Sequence, residues 1–228
     1  MLDTTKHKTI LIRILREIYS HPELAPVLGF KGGTAVFLFY NLPRMSVDLD
    51  FDLLDINKKD AVFKKVTAIL NKFGTLTEVR DKKYTLFWLV SYEKGLQHAK
   101  IEISKRPSES EYEIKNLLGT NIQVMNQSFM FIHKLIALLD RKRLANRDLF
   151  DLWYFFSQNW PLNRKVLEKN TNMDFSKYLQ TCIEKIEKVE ARNILDGLGE
   201  LLDNKMKYWV KNKLKEELIF FLRASSQP

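Results

Sequence analysis

Apolar and polar positions change their spacing partway along the 228-residue chain. Up to about residue 125, segments with helical spacing alternate with short segments of strand type. An opening helix is predicted to end near residues 21–22, and Asn57 is placed to cap a second helix. The apolar face of that second helix is expected to comprise Ala61, Val62, Val66, Ile69 and Leu70. Strands are predicted at 76–80, 85–92 and 100–104, and as a short edge-like strand at 122–124.

From residue 128 onward the spacing is helical throughout. Ser128 and Asn146 are predicted to cap helices over 129–140 and 147–156. Further helices are expected near 174–190, 193–202 and 205–222.

We therefore expect an α+β protein in two parts. Residues 1–125 would form a mixed sheet with flanking helices, and residues 126–228 a C-terminal helical bundle that completes an active-site cleft. The single cysteine, Cys182, excludes an intramolecular disulfide, and its helical spacing with Leu179 and Ile186 favours core packing.

Carboxylates alternate with apolar residues over 47–53, in the order Val-Asp-Leu-Asp-Phe-Asp-Leu. Because strand side chains alternate between faces, Asp48 and Asp50 should project on one side, with Asp52 next along. Two carboxylates about 7 Å apart on a strand suit Mg²⁺, which prefers oxygen ligands and substrate phosphates. The alternative, a solvated strand face, is common for an isolated Asp-x-Asp.

A glycine pair precedes these carboxylates, in Lys-Gly-Gly-Thr at 31–34. Gly32 and Gly33 lack a Cβ, so their backbone N–H groups can approach a phosphate closely. Thr34 is predicted to cap a helix over 35–40, whose N-terminus would favour an anion. Arg44 and Ser46 are placed either to contact phosphate oxygens or to order the chain before the strand. An isolated Gly-Gly is usually an ordinary turn, but the order and close spacing of the two motifs favour a site for a metal-bound triphosphate.

Glu102 shares a strand face with Lys100 and is a candidate third metal ligand or general base; a solvated Lys/Glu face is the alternative. Lys134 lies in a helix that is apolar nearly all round. Such a lysine either reaches solvent along its stem or holds a triphosphate as a point charge.

Asp148 and Asp151 are three residues apart and therefore share a helix face. One interpretation is that they complement the helix dipole, with Arg147 paired to Asp151. The other is that Asp148 orients Lys134 or positions an acceptor, and that Asp151 supports it.

The segments Lys-Gly-Gly-Thr-Ala and Arg-x-Ser-x-Asp-Leu-Asp-Phe, followed by Arg-Asp-Leu-Phe-Asp-Leu at 147–152, resemble the AbiEii/AbiGii toxin family. This family includes the MenT toxins and belongs to the DNA polymerase β-like nucleotidyltransferases. The resemblance implies a polymerase β-like core and Mg²⁺-dependent transfer of a nucleotide from an NTP to an acceptor, with one or two ions. Family members act as toxins in toxin–antitoxin or phage-defence (abortive infection) systems, and some modify the 3′ end of tRNA.

The resemblance also assigns expected roles to individual residues. The expected catalytic residues are Asp48, Asp50, Glu102, Lys134, Asp148 and Asp151. The expected metal ligands are Asp48, Asp50 and Glu102. The expected nucleotide-binding residues are Gly32, Gly33, Thr34, Arg44, Ser46 and Lys134.

The composition narrows the expected partners. The net charge is +9 and the pI is near 9.4, which favour a polyanion such as RNA, although a basic proteome would give the same balance. No signal-peptide pattern opens the chain and no apolar run approaches a membrane span, so we expect a cytoplasmic protein. A cognate antitoxin is implied by the resemblance alone. Two alternatives stay open: transfer to a protein or small-molecule hydroxyl, and a non-catalytic NTP-binding module.

Overall fold

A computed structural model describes residues 3–226, and the chain divides into two compact units. The N-terminal unit comprises Met1–Asn41 and Met45–Asn126. The C-terminal unit comprises Gln127–Pro228 together with the short segment Leu42–Arg44. Within residues 3–226, no helix is both long enough and apolar enough to cross a membrane.

A mixed seven-stranded sheet forms the centre of the N-terminal unit. Its strands are β1 (Leu28–Lys31), β2 (Asp48–Leu53), β3 (Thr75–Asp81), β4 (Thr85–Ser91), β5 (Ala99–Ser104), β6 (Tyr112–Leu117) and β7 (Thr120–Met125). The strand order is β3-β4-β5-β2-β1-β7-β6. The pairs β2/β5 and β1/β7 are parallel and the other neighbours are antiparallel.

Alternation along β2 decides which face of the sheet is core. Leu49 and Phe51 are fully buried, whereas Asp48 and Asp50 on the other face are half-buried. Three helices complete this unit: α1 (Thr4–Tyr19), α2 (Gly32–Phe39) and α3 (Lys59–Leu70). Helix α1 contacts β2, β5 and β7, and α3 contacts β4, so both cover the apolar face of the sheet.

Helices alone form the described part of the C-terminal unit. They are α4 (Gln127–Asp140), α5 (Asn146–Ser157), α6 (Arg164–Thr171), α7 (Phe175–Glu187), α8 (Asn204–Trp209) and α9 (Lys215–Ser226). Short 3-10 turns lie at Ala191–Asn193 and Gly199–Leu201, and a π-helix, Val210–Leu214, joins α8 to α9. Cys182 is fully buried in α7, which confirms its expected place in a core.

The α+β class with a mixed sheet followed by helices is confirmed, but several local predictions are wrong. The segment 122–124 is not an edge strand, because β7 pairs with both β1 and β6. Ala61 is exposed, and 193–202 forms two 3-10 turns rather than a helix. The predicted helix over 205–222 contains the π-helix, whose wider turn no apolar spacing encodes.

Three elements carry too little sequence pattern to be predicted. Strand β1 has only four residues, one of them glycine, and β6 has no fully buried position. Helix α6 has one buried residue, Leu167. Each depends on neighbours distant in sequence.

Candidate active site

Three acidic side chains predicted to act together are neighbours in the sheet. Asp48 and Asp50 lie on the half-buried face of β2, and the parallel register pairs Asp50 with Glu102 and Asp48 with Lys100. Adjacent strands are about 4.8 Å apart, so residues paired in this way present their side chains side by side. The N-terminal unit therefore brings Asp48, Asp50 and Glu102 together on one surface.

A lysine that the sequence did not single out lies among these carboxylates. The Nζ atom of Lys100 is 3.0 Å from Asp48 Oδ2 and 3.2 Å from Glu102 Oε2. Burial lowers the pKa of Lys100, but Asp48 and the other two carboxylates outweigh burial and raise it, so the ammonium stays charged. The sequence signal was present, since Lys100 and Glu102 alternate with buried isoleucines.

Asp50 differs from its neighbours in its electrostatic environment. Burial and the nearby Asp48 raise the pKa of Asp50 to about 6, against an ordinary value of 3.8. Among residues 3–226, no group donates a hydrogen bond to its carboxylate. Gly32 lies against it: a Cβ at residue 32 would be 2.6 Å from Asp50 Oδ2, and φ of Gly32 is +79°. Only glycine both adopts this backbone conformation readily and leaves room for the carboxylate.

The third carboxylate on this face of β2 has protein partners instead. Asp52 is 1% exposed; its Oδ1 lies 2.5 Å from Lys31 Nζ, and its Oδ2 accepts a 2.7 Å hydrogen bond from the Tyr112 hydroxyl. The Tyr112 ring occupies the space that a Cβ at Gly29 would need. Lys31 is paired in register with Asp50. Its ammonium is therefore held beside the glycine pair, and sequence reasoning missed this arrangement.

The expected capping role of Thr34 is wrong. Helix α2 already begins at Gly32, with Lys31 as an N-cap that makes no side-chain capping bond. The positive φ of Gly32 allows this earlier start. The Thr34 hydroxyl instead lies 2.9 Å from the Ser46 hydroxyl and hydrogen-bonds to the backbone carbonyl of Asp48. Thr34 and Ser46 are both buried and tie α2 to the start of β2.

A buried cluster of charges in the C-terminal unit contains the other predicted residues. Lys134 Nζ lies 2.6 Å from Asp148 Oδ1 and 2.8 Å from Asp151 Oδ2. The Arg44 guanidinium binds Asp151 through Nε at 2.6 Å and a terminal nitrogen at 2.7 Å. Arg141 Nε lies 3.0 Å from Asp148 Oδ2. We refer to these five residues as the Lys134 cluster.

Burial makes the Lys134 cluster electrostatically strong. The side chains of Arg44 and Asp151 are 2% and 0% exposed. Burial raises the pKa of Asp151, but Arg44 and Lys134 outweigh burial and lower it, so Asp151 stays ionised. Of the two roles expected for Arg44, this geometry favours ordering, because the guanidinium holds segment 42–44 against α5 through a bidentate pair.

The donor set of the N-terminal unit fits a magnesium ion only in part. Within the described residues, no group of three or more His, Cys, Asp or Glu side chains is arranged to hold a metal. However, Mg²⁺ at nucleotide sites typically uses one or two carboxylates and completes its shell with phosphate and water. Asp48 and Asp50 meet that requirement. Lys100 contacts both Asp48 and Glu102, so the role of Glu102 as a third ligand stays a prediction.

Comparisons with known proteins agree with these observations. Residues 13–210 match the family described as nucleotidyl transferase AbiEii toxin of the type IV toxin–antitoxin system. No curated protein matches the chain significantly.

Among solved structures, a candidate nucleotidyltransferase from H. pylori is 22% identical with a TM-score of 0.60, covering 99% of this chain and 98% of its own. JHP933 from Helicobacter pylori is 23% identical with a TM-score of 0.58, covering 99% and 97%. An antigenic nucleotidyltransferase-like protein from Paracoccidioides brasiliensis is 14% identical with a TM-score of 0.51, covering 93% and 95%. At these identities the structures support the fold alone. The family match spans most of the chain and confirms the resemblance seen in its motifs: the chain belongs to the AbiEii family of nucleotidyltransferase toxins.

Proposed function

We propose that this member of the family transfers a nucleotide from an NTP to an RNA acceptor, with the 3′ end of tRNA as its target, and depends on Mg²⁺. Family membership supplies the reaction class. The carboxylate pair Asp48 and Asp50 carries the proposal for this chain, because the two lie side by side on a half-buried sheet surface.

Asp48 and Asp50 are the residues that would hold Mg²⁺. The raised pKa of Asp50, near 6, reflects a carboxylate that has an acidic neighbour and no hydrogen-bond donor within residues 3–226. A divalent cation would remove that penalty. When bound, the ion supplies charge neutralisation at the phosphates and polarises the α-phosphate.

The start of α2 is the proposed site of the triphosphate. Gly32 and Gly33 present backbone N–H groups at a helix N-terminus, where an anion is favoured. Lys31 adds a fixed ammonium beside them, since Asp52 holds it in place and its side chain is 22% exposed. Thr34 and Ser46 support this segment through their mutual hydrogen bond, rather than by presenting free hydroxyls to a ligand.

Lys134 is proposed to contact the NTP phosphates as well. Asp148 and Asp151 take two of its three N–H donors and fix its position, which leaves one donor for a phosphate oxygen. In the proposed reaction the acceptor hydroxyl oxygen bonds to the α-phosphorus, the α–β phosphoanhydride bond breaks and pyrophosphate leaves. Glu102 is the candidate base for the hydroxyl proton. Catalysis would depend mainly on positioning and charge neutralisation.

An RNA acceptor is favoured by the net charge of +9. Transfer to a protein or small-molecule hydroxyl is the second candidate, and a non-catalytic NTP-binding module is the third. An antitoxin partner is proposed from the family description, which names a toxin–antitoxin system.

One experiment separates these candidates. The purified protein is incubated with each α-labelled NTP and with either total RNA or protein extract, in Mg²⁺ or in EDTA. We expect label in RNA with Mg²⁺, and its loss with EDTA and with Asp48→Asn. Asp60→Asn is the matched control, because that carboxylate lies in the same unit and is 91% exposed. Label only in protein would refute the RNA acceptor, and NTP binding without any label would refute catalysis.

A growth assay tests the toxin role. Expression of the wild type should arrest growth, whereas Asp50→Asn should not. Equal arrest by both would show that toxicity does not depend on the proposed chemistry.

A further inference from the structure

A dense basic segment lies in the C-terminal unit, away from the residues assigned above. Residues 204–215 contain no acidic residue and five lysines, namely Lys205, Lys207, Lys211, Lys213 and Lys215. They span α8, the π-helix and the start of α9. The segment therefore has a local charge of +5, more than half of the net charge of the chain.

An exposed tyrosine stands among these lysines. Tyr208 is 74% exposed, the highest value among the large apolar and aromatic side chains that are exposed in the described chain. Its neighbour Trp209 packs on Trp153 of α5, with ring centroids 4.1 Å apart. Trp209 thus fixes the helix to the core, while Tyr208 presents its ring to solvent. The Tyr208 ring has no aromatic or cation–π partner within residues 3–226.

The π-helix arranges polar groups one turn beyond Tyr208. Its i→i+5 hydrogen bonding widens the turn, and such turns occur frequently at functional sites. The Asn212 side chain donates a 2.7 Å hydrogen bond to the Tyr208 carbonyl. Lys211 and Lys213, on either side of Asn212, are both exposed. Two cations therefore follow the tyrosine ring along one helix.

A cavity of about 120 Å³ adjoins this turn and has polar walls. Lys211, Asn212, Lys213, Lys215 and Glu216 line it together with the apolar side of the helix. Lys215 is held there by donating to the carbonyls of Glu187 and Val189 at 2.7 and 2.8 Å. A water occupies about 30 Å³ in the liquid, so the space accommodates a group the size of a phosphate.

We propose that this Tyr208 face, defined as Tyr208, Lys211, Asn212 and Lys213 with the adjoining cavity, binds single-stranded RNA. One unpaired base stacks on the Tyr208 ring, and the flanking phosphates lie against the lysines. Charge complementarity favours a polyanion, and the free aromatic ring favours an unpaired base over a duplex. The inference rests on the proposed RNA acceptor and assigns the surface that holds it.

Binding is tested apart from catalysis, on the full chain in EDTA without NTP. Fluorescence anisotropy with a labelled single strand of about twelve nucleotides gives the affinity. Tyr208→Ala should weaken binding about 5- to 100-fold, the loss typical of one stacked base. Tyr208→Phe keeps the ring and should stay within about twofold of wild type. Tyr84→Ala is the matched control, because Tyr84 is 46% exposed and flanked by Lys83 and Arg106.

The lysines are tested through the salt dependence. In the double variant Lys211→Gln with Lys213→Gln, the slope of log affinity against log salt should fall by up to about 1.4, at about 0.7 per phosphate lost from a single strand. An unchanged slope would overturn the phosphate assignment. Circular dichroism of each variant verifies the helical content.

The remaining outcomes are decisive as well. Wild-type affinity in both Tyr208→Ala and the lysine variant, or an equal loss in Tyr84→Ala, would overturn the Tyr208 face while leaving nucleotidyl transfer untouched. Equal binding to anionic vesicles or to an acidic peptide would assign the face to a membrane or a protein instead. Asp48→Asn should bind RNA normally and transfer nothing. A wild type that labels protein and binds no RNA would refute the proposed acceptor rather than the reaction.

Discussion

Replacing Asp50 by asparagine should stabilise the metal-free protein while abolishing nucleotidyl transfer. Burial and Asp48 raise the pKa of this carboxyl from 3.8 to about 6. A raised pKa means that the folded protein retains a proton which the unfolded chain has already released. Ionised Asp50 therefore opposes folding, and the penalty grows as the pH rises from about 4 to about 6, above which it is fully present.

The size of the effect follows from the shift. About two pH units at about 1.36 kcal/mol per unit correspond to about 3 kcal/mol. The amide of asparagine is also half-buried at this position and loses some solvation, so we expect a gain of about 1–3 kcal/mol near pH 7.5. The gain should shrink towards pH 4, where Asp50 is protonated in the folded protein.

Urea unfolding followed by circular dichroism, in EDTA and at both pH values, measures this difference. Asp60→Asn, which removes an exposed carboxylate, is the control and should change stability by less than about 0.5 kcal/mol. Added Mg²⁺ should stabilise the wild type and narrow its gap to Asp50→Asn. The reasoning fails if Asp50→Asn is no more stable than the wild type near pH 7.5, or if its gain is equal at the two pH values.

Three further predictions follow from the geometry. Gly32→Ala should abolish transfer and lower stability, because the new Cβ would lie 2.6 Å from Asp50 Oδ2 at a positive φ; NTP binding and urea unfolding check this. Asp151→Asn should cost about 3–5 kcal/mol near pH 7, since it leaves Arg44 buried without its anion; the wild type should lose this contribution as the pH falls through the lowered pKa of Asp151, which acid titration of stability measures. Lys100→Met should raise Mg²⁺ affinity in calorimetry, because an ammonium no longer competes for Asp48; unchanged or weaker affinity would contradict this competition.

Much of the fold was predictable where one periodicity dominates. Strand β2 alternates carboxylates with fully buried Leu49 and Phe51, so its two faces could be assigned from sequence. Strands β3 to β5 and helices α1, α3 and α7 were also expected, because each has a run of apolar residues long enough to show its period. Strand β1 was not, although it pairs with β2 and carries Lys31. Four residues that include a glycine do not establish a period, and sheet pairing alone makes this segment a strand.

The role of Thr34 shows a different limit. Sequence rules favour threonine as a helix cap, yet the hydroxyl hydrogen-bonds to Ser46, twelve residues later. The backbone conformation of Gly32 decided where the helix begins, and a glycine accepts several conformations equally well.

The sequence by itself determined which residue types could do chemistry and which shared a face: Gly32 and Gly33, then Asp48 and Asp50, and later Lys134 with its aspartates. The tertiary structure decided how each charge is balanced. Asp52 is neutralised by Lys31 and by Tyr112, which lies 60 residues away, whereas Asp50 has no such donor in the described chain. Asp151 binds Arg44 across 107 residues. Local periodicity fixes the direction of a side chain, but its pKa depends on burial and on neighbours that only strand register and helix packing bring within reach.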